Sequence, residues 1–207
     1  MMRPLGILVR TVAGLVSALA MLWSATEIAL ACACCTNRAG RYVAVETMSD
    51  QRLNTIEQMT FAEEAFVAQG AADHPIDLQG FGNAAQLAVR QTRSEIAFAF
   101  RGEAGGTSDV TLALPDSISI FEVDPRGGEP DAGLGPAFYK EWQVSGSARA
   151  TGVLRPLAEA GDQKVTLILH GRGRGCTEAS EFTDRTLMLH GPAGNLTLYG
   201  ALSSAAR

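Results

Sequence analysis

Short segments of alternating apolar and polar residues dominate this chain of 207 residues. Ala85–Val89 and Ser94–Phe100 alternate with period two on either side of a polar connection, and Val110–Leu114 and Ile118–Val123 flank a Pro-Asp turn. This pattern is typical of strands that bury one face. Further strands are predicted at Phe138–Val144, Ala148–Leu154, Val165–His170, Thr186–His190 and Leu196–Tyr199. The sequence therefore predicts an all-β fold, mainly an antiparallel sandwich or barrel.

One stretch departs from the strand pattern. Leu53, Ile56 and Met59 fall at helical spacing, and Ser49 or Asp50 is placed to cap the first turn. We expect at most one short helix in the mature domain, near residues 50–58, followed by a strand.

The first 31 residues have the three-part pattern of a secretory signal peptide. Arg3 and Arg10 come first, an uncharged apolar run follows over residues 11–26, and Ala29-Leu30-Ala31 supplies an A-x-A cleavage site. The apolar run is shorter than the roughly twenty residues that span a bilayer. We predict a signal helix over residues 1–31, removed on export, and a single β-rich domain over 32–207. The mature protein is expected to be periplasmic or secreted, without a membrane span.

Three of the four cysteines, Cys32, Cys34 and Cys35, stand directly behind the leader, and the fourth is Cys176. Export favours paired thiols, so we predict that a disulfide from the cluster to Cys176 staples the amino terminus to the domain. In the entropic model, closing a loop of about 140 residues contributes roughly 4–5 kcal/mol. A lipid anchor at Cys32 is a minor alternative, since Ala29 takes the place of the large aliphatic residue in a lipobox.

Two other functions use the same cysteines. The thiolates of Cys32, Cys34, Cys35 and Cys176 could hold a soft ion, copper or zinc, which would make the protein a metal binder or carrier. Cys32 and Cys35 also form a C-x-x-C pair, which would suit a thiol-disulfide oxidoreductase, although the βαβ context of that motif is absent. The residues leave these alternatives open.

Charge and motifs narrow the remaining classes. The chain has 17 Lys and Arg against 22 Asp and Glu, a net charge of −5, which argues against binding to nucleic acid or an anionic membrane. It contains neither a G-x-S-x-G elbow nor an H-E-x-x-H helix. We therefore expect a non-catalytic binding or structural module without a cofactor, for which a periplasmic protein is the candidate partner.

The stretch from Gly171 to Cys176 has the alternating glycines of a loop, in which Arg172 and Arg174 are weak candidates for anion binding. His170 and His190 each end a Leu-x-Leu-His-Gly segment. If the two strands are antiparallel neighbours, these histidines lie roughly 17–20 Å apart. They could not share one metal ion.

Three stretches together resemble a family of exported bacterial proteins whose function is uncharacterised. They are Cys32-Ala33-Cys34-Cys35, the segment Gly133–Trp142, and the segment Gly171–Asp184 with Cys176 inside it. The resemblance covers most of the mature chain and implies export and one domain. It carries no activity, ligand or site residue.

Overall fold

The structure is a computed structural model, which describes residues 41–68, 81–123, 138–157, 164–173, 178–191 and 194–204. The predicted leader, the four cysteines and Arg174 therefore lie outside the described residues. All described residues belong to one compact unit, Thr36–Arg207.

Strands make up most of the described chain. Between them lie one α-helix, α1 (Asp50–Glu57), and two 3-10 helices, η1 (Gly152–Leu157) and η2 (Ala179–Glu181). The strands are β1 (Arg41–Thr47), β2 (Met59–Phe61), β3 (Glu64–Val67), β4 (Ala84–Gln91), β5 (Glu95–Gly102), β6 (Thr107–Ala113), β7 (Ser117–Val123), β8 (Phe138–Ala150), β9 (Lys164–Gly173), β10 (Phe182–Gly191) and β11 (Gly194–Ser204).

Eight antiparallel strands close into a barrel in the order β8-β9-β10-β11-β3-β4-β5-β6. The long strand β8 closes the barrel because it pairs with β9 along one edge and with β6 along the other. Its last residues, Ala148–Ala150, pair with β6, whereas Tyr139–Gln143 pair with β7. Strand β7 in turn carries β1, and β2 pairs with the end of β11. The predicted all-β fold is confirmed, and of the two predicted architectures, sandwich and barrel, the structure is a barrel.

Alternation along each strand sends apolar side chains inward. The inner side chains form one buried cluster, which includes Leu87, Ile96, Phe98, Phe100, Val110, Leu112, Trp142, Val144, Val165, Leu167, Leu169, Leu187, Leu189, Leu196 and Leu198. Two elements outside the barrel strands add to it, because Ile56 of α1 and Leu154 and Leu157 of η1 are almost completely buried. Apolar burial on this scale is the main source of the fold's stability.

The predicted helix is confirmed and begins with a side-chain cap. Ser49 has extended backbone, and its hydroxyl accepts a hydrogen bond from the backbone N–H of Arg52 at 3.4 Å. This cap satisfies one of the unpaired donors of the first turn. The helix ends at Glu57, and strand β2 begins two residues later.

The predicted strand Ala148–Leu154 is wrong in its second half. Strand β8 ends at Ala150, and η1 begins at Gly152, which has a φ of 63°. A positive φ disfavours a residue with a Cβ and turns the chain out of the extended path. The turn lets Leu154 and Leu157 reach the core.

The prediction of a loop from Gly171 is also wrong, because β9 continues to Gly173. Gly171 and Gly173 do not have positive φ angles. They serve close approach instead: a Cβ on Gly171 would overlap the backbone of Glu181, and one on Gly173 would overlap the Glu181 carboxylate. Glycine is needed there because another segment of the chain packs directly onto the strand.

Among the described residues, no helix is long and apolar enough to cross a membrane.

Candidate functional site

Strand β8 presents polar side chains to both of its faces. Lys140 and Trp142 point into the barrel and are each 1% exposed. Because side chains alternate along a strand, Tyr139 and Glu141 lie on the outer face. Both faces of β8 therefore carry titratable side chains, which belong to one cluster on the outer face and to another on the inner face.

The outer-face cluster consists of Tyr139, Glu141, His170 and Thr186. The Tyr139 hydroxyl donates a hydrogen bond to the Glu141 carboxylate. His170 Nδ1 lies 3.1 Å from that hydroxyl and 3.3 Å from Glu141 Oε1. On its other side, His170 Nε2 lies 2.8 Å from the Thr186 hydroxyl. The imidazole is thereby held at both nitrogens, which fixes its orientation.

The cluster belongs to a longer row of residues that are direct cross-strand partners. From β1 to β10 the row runs Val43, Phe121, Glu141, His170 and Asp184. Directly opposed residues share a face of the sheet, so all five face outward. We call these residues the outer row. With strands about 4.8 Å apart, it is roughly 19 Å long.

The side chains of the outer row change from apolar at the β1 end to polar and charged at the β10 end. Val43 is 65% exposed, and the Phe121 ring lies against Tyr139 with centroids 6.4 Å apart. The β10 end is charged, because Asp184 is exposed beside the Glu141 and His170 pair. An apolar end joined to a polar, hydrogen-bonded end gives the amphipathic surface that protein partners use.

Burial, followed by the hydrogen bond to Glu141 and the negative charge of that carboxylate, raises the pKa of Tyr139 to about 12. The phenol is the proton donor of the cluster, so ionisation would put two negative groups in contact. Tyr139 therefore stays neutral well above the pH at which an ordinary tyrosine ionises.

This shift makes a prediction for titration. Between about pH 10 and pH 12 the unfolded chain releases a proton that folded Tyr139 retains, so its contribution to stability is lost as pH rises through that window. A phenolate absorbance titration of the folded protein should show a late step that disappears in Tyr139→Phe. If the step persists in Tyr139→Phe, it belongs to another tyrosine and the cluster is wrongly described.

The inner cluster lies on the opposite face of β8. The Lys140 ammonium contacts the Glu181 carboxylate and lies 4.9 Å from the centroid of the Phe182 ring. Glu122 of β7 is the cross-strand partner of Lys140. Burial raises the pKa of Glu122, Lys140 opposes the shift, and the charges of Glu181 and Glu46 add to it. A buried lysine thus lies close to two partly exposed glutamates.

A second outer surface lies across the barrel, on β4 to β6. It is an open groove of about 650 Å³ with small side chains, Ala88 and Ala99, on its floor and Gln86, Arg101 and Asp109 around it. These polar residues are exposed, and the Asp109 carboxylate accepts a hydrogen bond from the Thr151 hydroxyl at 3.3 Å. The side chains of the outer-face cluster are less exposed and are hydrogen-bonded to one another. Preorganised polar groups bind with a smaller entropic cost, which favours the outer row as the site.

The sequence-predicted site residues have different outcomes. The disulfide and metal candidates, Cys32, Cys34, Cys35 and Cys176, lie outside the described residues, as does Arg174, so these assignments stay predictions. Arg172 is exposed in β9, opposite Tyr139. In the described part of the chain, no group of three or more His, Cys, Asp or Glu side chains could hold a metal ion.

The separation of the two histidines is confirmed. Strands β9 and β10 are antiparallel neighbours, in which His170 pairs with Asp184 and His190 pairs with Lys164. Six residues of β9 separate the two pairs, which corresponds to about 20 Å. The Nδ1 of His190 lies 2.9 Å from the side-chain oxygen of Asn195, so each histidine has a local partner.

Sequence reasoning missed Lys140, Glu141 and Thr186. A signal for Lys140 was present, because the alternation that places Trp142 in the core also places Lys140 there. A lysine on a buried face requires a partner of opposite charge. No comparable signal marks Thr186, since its contact with His170 depends on the register between β9 and β10.

Comparison of the chain with models of protein families, with curated proteins and with solved structures gave no match.

Proposed function

We propose that this protein is an exported, non-catalytic β-barrel module that binds a protein partner through the outer row. The observation that carries this proposal is the row itself, in which an exposed valine, a half-buried phenylalanine and a fixed Glu-His pair follow one another across five strands. The leader pattern of residues 1–31 supports export.

The barrel interior supports an external site. Its side chains are predominantly large and apolar, and the aromatic rings pack against one another, with centroids 5.9 Å apart for Phe61 and Phe98 and 6.3 Å apart for Phe98 and Phe100. Barrels that carry a small molecule leave space among such side chains. Here the same space is occupied by the core, which favours binding at the surface.

The size and composition of the outer row favour a protein over a small molecule. A row of roughly 19 Å matches the breadth of a protein interface patch. Tyrosine is enriched among residues that contribute most to protein binding, since it offers a large ring and a polar end. Tyr139 borders the row beside Phe121 and has both features.

The proposal is tested by photo-crosslinking in intact cells. A photoreactive amino acid is placed at Asp184, at Val43, or at Ala88 in the opposite groove, and each protein is exported and irradiated. We expect one discrete adduct of the same partner from Asp184 and from Val43, and none from Ala88. The adduct yield should fall about tenfold when His170→Ala is added, as for loss of an interface hot spot.

The Ala88 position is the matched control, because it is also exposed on an outer strand face. An adduct from Ala88 alone would contradict the outer row and place binding in the groove. Absence of an adduct from all three positions would contradict a protein partner. Stoichiometric copper or zinc in the purified protein, lost on mutating Cys32, Cys34 and Cys35, would favour the metal carrier instead.

A further inference from the structure

Lys140 is a buried nucleophile that the binding proposal does not use. Its side chain is 1% exposed, whereas that of Glu181 is 16% exposed, and its Nζ is in direct contact with the Glu181 carboxylate. Enclosing a full ion pair in this way carries a desolvation penalty for each ion, unless good geometry and further hydrogen bonds offset it. A neutral product of the same two groups would avoid that penalty.

We propose that Lys140 and Glu181 condense into an intramolecular amide, Nζ to Cδ, with Glu122 as the neighbouring acid that relays the proton. The bond would join β8 covalently to η2, at the entrance of β10. It would be a self-made cross-link that needs no second molecule and is independent of the binding surface.

The step balances without a co-reactant. A proton passes from the ammonium to the carboxylate within the pair, which gives an amine and a carboxylic acid. The nitrogen attacks Cδ of Glu181 and the C–N bond forms; Glu122 takes the proton that the nitrogen loses and passes it to the hydroxyl, so that the C–OH bond breaks and one water leaves. The partial exposure of Glu181 gives that water a path to solvent.

Three features of the site favour this reaction. The contact holds the two groups together, and well-oriented intramolecular pairs react as if at effective concentrations of about 10⁵–10⁸ M. Lys140 is 1% exposed, so little bulk water competes with its nitrogen for the carboxyl carbon. Glu122 lies opposite Lys140 in the β7–β8 register, and burial raises its pKa, so it can carry a proton at higher pH than an exposed glutamate.

Two glycines of β9 allow Glu181 to come close to Lys140. Gly171 leaves room for the backbone of Glu181, and Gly173 leaves room for its carboxylate. Because these two positions of β9 have no side chain, Glu181 can pack against the strand with its carboxylate in contact with Lys140. Phe182 and Trp142 lie on the barrel side, with ring centroids 4.8 Å apart, and they keep bulk water from the amine.

The sequence provides an unusually clean test, because Lys140 and Lys164 are its two lysines. The purified full-length protein is reduced, denatured, digested with a protease that cleaves after lysine, and run on a denaturing gel. With the amide, cleavage occurs only after Lys164, and the two pieces stay joined through Lys140 and Glu181. We expect the digested wild type to keep nearly full-length mobility, whereas Lys140→Arg should fall into two fragments.

Mass spectrometry of the wild type gives a second readout that does not require the variant to fold. The reduced chain should be lighter by one water than its sequence, and tandem spectra should identify a branched peptide that joins residues 140 and 181. Glu122→Gln should leave a large unreacted fraction. A wild-type chain of full mass that is cut after both lysines would overturn the proposal and leave Lys140 and Glu181 as an ion pair.

Discussion

Replacing Arg185 by leucine is expected to lower the free energy of unfolding by about 3–5 kcal/mol. Arg185 is 3% exposed. Its guanidinium donates hydrogen bonds to the carbonyls of Ala62 at 3.0 Å, Glu64 at 2.8 Å and Ala201. These carbonyls belong to the point where β11 changes partner between β2 and β3. Leucine would remove all three of these hydrogen bonds, and only the Ala201 carbonyl has a described second donor, the Ala62 N–H at 3.1 Å.

The arginine is charged although it is buried. Burial lowers its pKa to about 10, which still leaves it cationic at neutral pH. In the described part of the chain it forms no ion pair with a carboxylate, and its charge faces carbonyl oxygens and the Phe61 ring, 5.3 Å from the ring centroid. Such a residue stabilises the fold through hydrogen bonds and a cation–π contact.

Urea unfolding of wild type and variant measures this loss. The matched control is Arg101→Leu, because Arg101 is exposed on β5, and it should change stability by less than about 0.5 kcal/mol. Arg185→Lys should fall between them, since one ammonium matches three separated carbonyls less well. An Arg185→Leu protein within about 1 kcal/mol of wild type would show that these carbonyls find other donors.

Gly171→Ala is expected to cost about 2–4 kcal/mol, because the new methyl group would overlap the carbonyl of Glu181 and the start of β10. Those atoms are backbone, and they are held by the 3.1 Å hydrogen bond from the Glu181 N–H to the Glu178 carbonyl. The turn would have to move as a whole. Alanine also restricts the unfolded chain more than glycine does, and this effect would offset at most about 1 kcal/mol of the lost stability.

Gly173→Ala is the matched comparison on the same strand. Its methyl group would meet only side-chain atoms of Glu181, so the backbone can stay in place, and the stability loss in thermal or urea unfolding would come from separating the carboxylate from buried Lys140. Displacing that carboxylate would also prevent the amide, and the lysine-specific digest should then cleave after Lys140. A Gly173→Ala digest in which Lys140 stays uncut would contradict the role of Gly173 in making room for that carboxylate.

Local pattern predicted most of the elements. The helix was found from three apolar residues and a serine cap, and β5 from the alternation of Ser94–Phe100. Barrel closure could not be predicted in the same way. It depends on β8 pairing with β9 along one edge and with β6, at Ala148–Ala150, along the other, and these pairings join residues far apart in sequence.

The candidate site likewise combines features that could be predicted from the sequence with features that depend on contacts between distant segments. The pairing of β9 with β10 was foreseen as a condition on the histidines, and it holds. Strand β1 was not predicted, although Val43 begins the outer row and faces solvent. An exposed valine on an edge strand has no packing partner in its own segment to indicate its role. The contact of Glu181 with Lys140 likewise joins residues on separate elements.

The most direct measurement of the central claim is the affinity for the protein captured by crosslinking. Isothermal titration calorimetry would compare wild type, Tyr139→Ala, His170→Ala and the groove variant Ala88→Ser. If the outer row binds the partner, Tyr139→Ala beside the row and His170→Ala within it should each weaken binding about tenfold or more, and Ala88→Ser should bind like wild type. Unchanged affinity in both Tyr139→Ala and His170→Ala, with their folds intact, would contradict the account.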